Sequence, residues 1–272
     1  RLRRQFLIGM GLDPLPARCD PRVTDYGAVA GLGYRGRRLA FQILPDCWIT
    51  AGLYEPDPRP DQPCPGVLYV CGHGPLGHPD YQGHAIRWAR RGYVCLIVDT
   101  IEQGDNPGEH HGLYTGARPD WIAMGYSGAG GELWNTLRAL DVLAAQPGVD
   151  PERLGITGVS GGGALSLHAA IVDPRLRAVA SSCGVSTPQD ALAGRHLWDH
   201  CDCMYSHNCF GVDIAAYAAL IAPRPALFVC SEHDLLFSPD EFRAFAERTR
   251  RIYRLLGCEE RCAYRQFPGP HG

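Results

Sequence analysis

The sequence predicts an α/β domain: a mostly parallel sheet with helices on both faces and a small cap. Three observations carry this. From residue 67 onward, short apolar runs rich in β-formers alternate with helical stretches, the pattern of parallel strands covered by helices. One junction, Leu154-Gly155-Ile156-Thr157-Gly158-Val159-Ser160-Gly161-Gly162-Gly163-Ala164-Leu165, reads as a strand, a glycine turn and a helix start. Ser160, Asp234 and His271 each follow a different predicted strand, in that order. In open α/β sheets the chemistry gathers at the carboxyl ends of the strands. The 272 residues suit a single domain, 1–272, with ample core.

Taken in order, residues 1–35 predict an N-terminal helical extension, with a helix over 2–10 broken by Gly11-Leu12-Asp13-Pro14-Leu15-Pro16. The β-like runs 39–44 and 48–54 flank Pro45-Asp46-Cys47 and suggest an antiparallel hairpin. Five prolines between residues 55 and 65 make a stiff, exposed connection. Strands are then expected at 67–71, 93–99, 154–157, 176–182, 226–230 and 262–267, and helices at 81–91, 131–145 and 239–256. Residues 183–222 are irregular and are expected to cap the mouth of the site.

Gly158, Ser160 and Gly162 make Gly-x-Ser-x-Gly. On a sharp strand-to-helix turn the neighbours of an exposed nucleophile must be small so that backbones can approach closely. The helix that follows aims free N–H groups at the same point. A serine hydroxyl needs an imidazole to take its proton, and the imidazole needs a carboxylate to fix its tautomer. Asp234 is preferred over the nearby Glu232 for the carboxylate. His271 is preferred over His168, which lies in the helix after Ser160, and over His196, His200 and His207 in the cap. A developing oxyanion needs two N–H donors. Gly161 supplies one. Gly74 is the choice for the second, with His73 and Leu76 open and Pro75 excluded because it has no N–H. His73, Trp198 and Tyr205 are candidates for contacting substrate; the two aromatics serve equally well as packing.

A net charge of −3 offers no footprint for nucleic acid, and no apolar run approaches the ~20 residues of a membrane span. Cofactors are expected to be none, since the glycines of 158–163 fit a serine turn better than a dinucleotide loop. His200-Cys201-Asp202-Cys203, with His207 and Cys209, resembles a set of zinc ligands. The Cys-x-Cys spacing is unusual and no second pair matches it, so no metal is expected there. Packed thiols or a disulfide among Cys201, Cys203 and Cys209 remain open. The twelve scattered cysteines do not settle the compartment. The chain opens on Arg1 rather than Met and stops just after His271, so both ends are expected to be cut.

With these residues in place, the chain resembles the α/β-hydrolases of the prolyl-oligopeptidase-like and acetyl-xylan-esterase-like group. The likeness extends beyond the serine turn to Gly11-Leu12-Asp13-Pro14-Leu15-Pro16, Cys71-Gly72-His73-Gly74 and His111-Gly112-Leu113-Tyr114. It includes Gly125-Tyr126-Ser127-Gly128-Ala129-Gly130 before Trp134-Asn135, His200-Cys201-Asp202-Cys203-Met204-Tyr205 and Ala222-Pro223-Arg224-Pro225. Glu102-Gln103-Gly104-Asp105 departs from the Gly-Glu-Arg type expected after the strand 93–99. The resemblance implies hydrolysis of a small ester, often an acetylated carbohydrate, with Ser160 as nucleophile, Asp234 as orienting acid and His271 as base. A peptidase of the prolyl-oligopeptidase type is the runner-up, but those enzymes usually carry a β-propeller for which 272 residues leave no room. A non-catalytic binding protein on the same fold is the alternative outside enzymes.

Overall fold

The computed structural model describes residues 1–112, 116–185, 187 and 207–271. Nine strands form one sheet: β1 (Thr24–Gly31), β2 (Tyr34–Leu44), β3 (Cys47–Pro56), β4 (Cys64–Val70), β5 (Val94–Val98), β6 (Val149–Val159), β7 (Leu176–Ser182), β8 (Ala226–Ser231) and β9 (Cys262–Phe267). Their spatial order is β1-β2-β3-β5-β4-β6-β7-β8-β9. The first three strands are antiparallel, β3 joins β5 antiparallel, and β5 through β9 run parallel. The hairpin expected near residues 39–54 is β2 and β3. The helix expected near the amino terminus is α1 (Leu2–Gly9).

β1 lies in the stretch expected to be only a helical extension. Seven of its eight residues are exposed, so it shows no alternation of apolar and polar side chains for the eye to find. It is held instead by its ladder to β2, as an edge strand can be.

One face of the sheet is covered by α4 (Gly128–Ala144), α5 (Gly161–Val172) and α7 (Pro239–Leu255), with α1 against α5. α4 is buried along most of its length, and Trp134 Nε1 donates to the Ile43 carbonyl at 3.0 Å, pinning the helix to β2. α7 starts at Ser238, whose hydroxyl accepts from the Glu241 N–H, with Pro239 in its first turn. The other face carries α2 (His78–Ala89) over Tyr54, Val67, Tyr69, Cys95 and Ile97. Farther along that face Thr157, Ala180, Leu227 and Ala263 are half-buried and Ala178 is exposed, so among the described residues helical cover on this side is partial. A short helix, α3 (Asp120–Ala123), lies in the connection before α4.

Most of the expected cap, including Trp198 and Tyr205, lies outside the described residues. Its last part is not a cap. α6 (Ile214–Ala218) and the turn after it place Ala215, Tyr217, Ala218 and Ile221 in the main core. Among the described residues no helix is long and apolar enough to cross a membrane.

Backbones of β6, α5 and β4 pack in direct contact beneath the site. A Cβ on Gly162 would lie 2.0 Å from the Val70 carbonyl oxygen, and one on Gly158 2.4 Å from the same atom. Both obstacles are backbone and cannot swing aside. Gly162→Ala is therefore expected to destabilise the fold by about 2–3 kcal/mol through overpacking, read as a lower midpoint in urea or thermal unfolding.

Candidate active site

Ser160 stands between β6 and α5 with φ 59° and ψ −125°. Few non-glycine residues adopt positive φ, and strain of about 1–3 kcal/mol persists only where the surroundings enforce it. Here Gly158 and Gly162 let β6 and α5 press on Val70, and Gly163 does the same against the Ser182 carbonyl. The Ser160 N–H donates to that carbonyl at 2.9 Å. Its side chain is left at the carboxyl end of the sheet, half-buried, at the amino end of α5.

Asp234 follows β8 and is buried. Its Oδ1 accepts the N–H groups of Leu236 at 2.9 Å and Phe237 at 3.0 Å, and its Oδ2 lies 2.9 Å from His271 Nδ1. Glu232, the competing carboxylate, is exposed. His271 follows β9 and stacks on Phe237 with ring centroids 5.5 Å apart. The carbonyls of Phe267 and Gly269 tie its loop to the N–H groups of Glu232 and His233. Burial raises the Asp234 carboxyl, but the bonds from His271, Phe237 and Leu236 outweigh it and hold the group below its ordinary value. Burial lowers the His271 imidazole, yet Asp234 and then Cys183 reverse this and raise it to about 9.

Cys183 is a neighbour that sequence reasoning missed. It follows β7 at φ 44°, and its thiol, Asp234 and His271 bring their ligand atoms within 4.8 Å of one another. Its thiol is lowered to about 4, first by the Cys230 thiol, against burial, and then by His271 and Ser231. No hydrogen bond joins Ser160 to His271 here. A cysteine just after a β-strand ending in Ser-Ser gives no hint that it will meet a histidine from the loop after β9, because the meeting is set by strand order.

The loop after β4 approaches the same point. A Cβ on Gly72 would lie 3.2 Å from Ser160 Cβ, so His73 follows directly on the closest approach to the serine. The Gly74 N–H, preferred from sequence as an oxyanion donor, donates instead to Gln103 Oε1 at 2.8 Å, and the Leu76 N–H donates to Asp80 at 3.0 Å. Gln103 belongs to the Glu-Gln-Gly-Asp departure, which is the one signal that this loop differs. The His73 side chain is exposed and meets His110 and His111, both unmarked as site residues by sequence. His168 lies in the core against Phe6, lowered by burial to about 3. His207 is bonded to the Tyr126 carbonyl at 3.0 Å. His196, His200, Cys201 and Cys203 lie outside the described residues.

Residues 33–184 match the acetyl xylan esterase (AXE1) family, more than half of the 272-residue chain. The chain belongs to this family. PA2218, an uncharacterized protein of Pseudomonas aeruginosa, is 30% identical over 149 residues, which are 54% of this chain and 36% of that protein. YtaP of Bacillus subtilis is 25% identical over 197 residues, 65% of this chain and 63% of that protein. The chain thus spans less than two thirds of the length of either relative. Among solved structures, methylesterase BT1017 matches with a TM-score of 0.77 at 24% identity over 100% of this chain and 59% of that one. A glucuronoyl esterase from Solibacter usitatus matches at 0.73 and 18% identity over 99% and 87%. At such identities what is shared is the fold, that of the α/β-hydrolases.

The pull of Asp234 on His271 is measurable without any substrate. In Asp234→Asn, burial is left opposed only by Cys183, and the imidazole pKa is expected to fall from about 9 by at least one unit. Titration of the ring protons by NMR reads this. An unchanged value would show that Asp234 does not govern the histidine.

Proposed function

We propose that this chain is a serine esterase that hydrolyses short-chain acyl esters, acetyl esters of carbohydrates foremost. The observation that carries the reading is a strained serine at φ 59° heading α5, at the same end of the sheet as a histidine that a buried aspartate holds at 2.9 Å. Membership of the acetyl xylan esterase family supports ester chemistry. The relative in fold named methylesterase supports ester hydrolysis, and the one named glucuronoyl esterase a sugar-bearing substrate.

Ser160 Oγ attacks the ester carbonyl while His271 takes its proton, and Asp234 stabilises the imidazolium that results. The tetrahedral oxyanion is held by the Gly161 N–H, at the first position of α5, and by the His73 N–H. His73 replaces Gly74 in this role because the Gly74 amide already donates to Gln103, whereas His73 is the next residue after the closest approach to Ser160. The imidazolium then protonates the departing alcohol and leaves an acyl-serine. Water, deprotonated by the same histidine, attacks the acyl carbonyl and releases the acid. The serine–histidine bond closes when substrate is bound, as catalytic hydrogen bonds commonly tighten only in the complex.

The test compares p-nitrophenyl acetate, butyrate and octanoate with wild type and Ser160→Ala. Turnover is expected to favour acetate and to fall by about 10⁴-fold or more in the variant. Equal rates in the two proteins would overturn the reading.

The pH profile adds a second check. The base works only when neutral, so kcat/KM should rise with pH on a limb centred near 9 rather than 6.5, following the raised His271. Cys183→Ala removes one of the groups that raise it, and its limb should move to lower pH.

A further inference from the structure

Three histidines meet on the loops that frame the site. His73 lies after β4, and His110 and His111 lie after β5. His73 Nε2 and His111 Nε2 are 3.2 Å apart, and one ring nitrogen from each of the three lies within 4.8 Å of the others. The His110 ring stands edge-on to both neighbours, with centroids 4.7 and 4.8 Å away.

His110 is also braced from behind. The carboxylate of the buried Glu132 is 3.4 Å from its Nδ1 and accepts the Ile101 N–H at 2.7 Å. Glu102 accepts the His110 backbone N–H at 2.7 Å. A shared proton between His73 and His111 accounts for that pair alone. It does not account for a third imidazole converging on the same point with a buried carboxylate beside its Nδ1.

We propose that His73, His110 and His111 bind a divalent transition-metal ion of the zinc class at the rim of the active site, with Glu132 orienting His110 from outside the coordination sphere. Imidazole nitrogens bound to a tetrahedral zinc at about 2.0–2.1 Å stand about 3.3 Å apart, close to the spacing of the His73 and His111 nitrogens. A carboxylate at Nδ1 presents Nε2 as the ligand atom, an arrangement that recurs around protein zinc. Three imidazoles select zinc, cobalt, nickel or copper over magnesium and calcium, which want oxygen. Three imidazoles would leave a fourth position for water or a substrate oxygen. The ion ties the loop bearing the His73 amide to the loop after β5. The sequence looked for metal only near residues 200–209 and expected none.

The test is titration of the chelator-stripped protein with Co²⁺ and then Zn²⁺. One equivalent of Co²⁺ should bind with the visible absorption of a four-coordinate ion, and Zn²⁺ should displace it. His111→Gln should weaken binding at least tenfold, while keeping the circular dichroism and metal-free melting temperature of wild type. If that variant misfolds, His73→Gln serves in its place. His207→Ala should bind as wild type does. Ser160→Ala should too, so the metal site stands or falls apart from ester hydrolysis. Failure to bind one equivalent, an intense near-ultraviolet thiolate band that assigns the ion to cysteines, or undiminished binding in the glutamine variant would each overturn the proposal.

Discussion

The site depends on how closely β6 and α5 approach β4. The Val70 carbonyl oxygen occupies the space where side chains on Gly158 and Gly162 would stand, and the Ser182 carbonyl does the same at Gly163. With nothing between the backbones, the chain must leave β6, turn and enter α5 within one residue. Ser160 is that residue, and its φ of 59° follows from the constraint. The same approach fixes the neighbours. Gly72 comes within reach of Ser160 because β4 is flush with β6, and Cys183 follows from β7 through the Ser160–Ser182 backbone bond. A backbone-built floor of this kind resists relaxation better than side chains would, because packed interiors are near close-packed density.

The charge at the site is built outward from Asp234. Burial alone would favour its neutral form, but two backbone N–H groups and His271 donate to it. The ion is thereby kept where bulk water cannot reach it. His271 inherits the consequence. A buried imidazole with no partner loses its proton easily, as His168 illustrates, lowered to about 3. Beside Asp234 and Cys183 the same ring is raised to about 9. Two histidines of one chain therefore differ by several pH units because one meets apolar packing and the other a carboxylate.

The parts of this arrangement written in local sequence were legible. Gly158-x-Ser160-x-Gly162 carries its own geometric reason, and the apolar runs of β4 to β8 declare themselves because both faces or one full face are buried. Asp234 and His271 could be chosen because each follows a strand. What escaped depended on juxtaposition. Cys183 meets His271 only because β7, β8 and β9 lie side by side. Gln103 takes the Gly74 amide only because the loops after β4 and β5 converge, which occupies the donor expected from sequence. β1 escaped for a different reason, since an exposed edge strand has no buried face to impose a period on its residues.

The convergence of the β4 and β5 loops also separates two kinds of precision. The donors proposed for the oxyanion are main-chain N–H groups, carried by the sheet's loops and by α5. The side chains on those loops bring His73 against His110 and His111. His73 belongs to both kinds, its amide in the proposed donor role and its imidazole in the histidine cluster. Any force that holds that imidazole is transmitted through one residue's backbone to the amide. In its proposed role the His73 amide is thus placed from the sheet on one side, through Gly72 against Ser160, and from the neighbouring loop on the other, through the histidine rings and the Gly74–Gln103 bond.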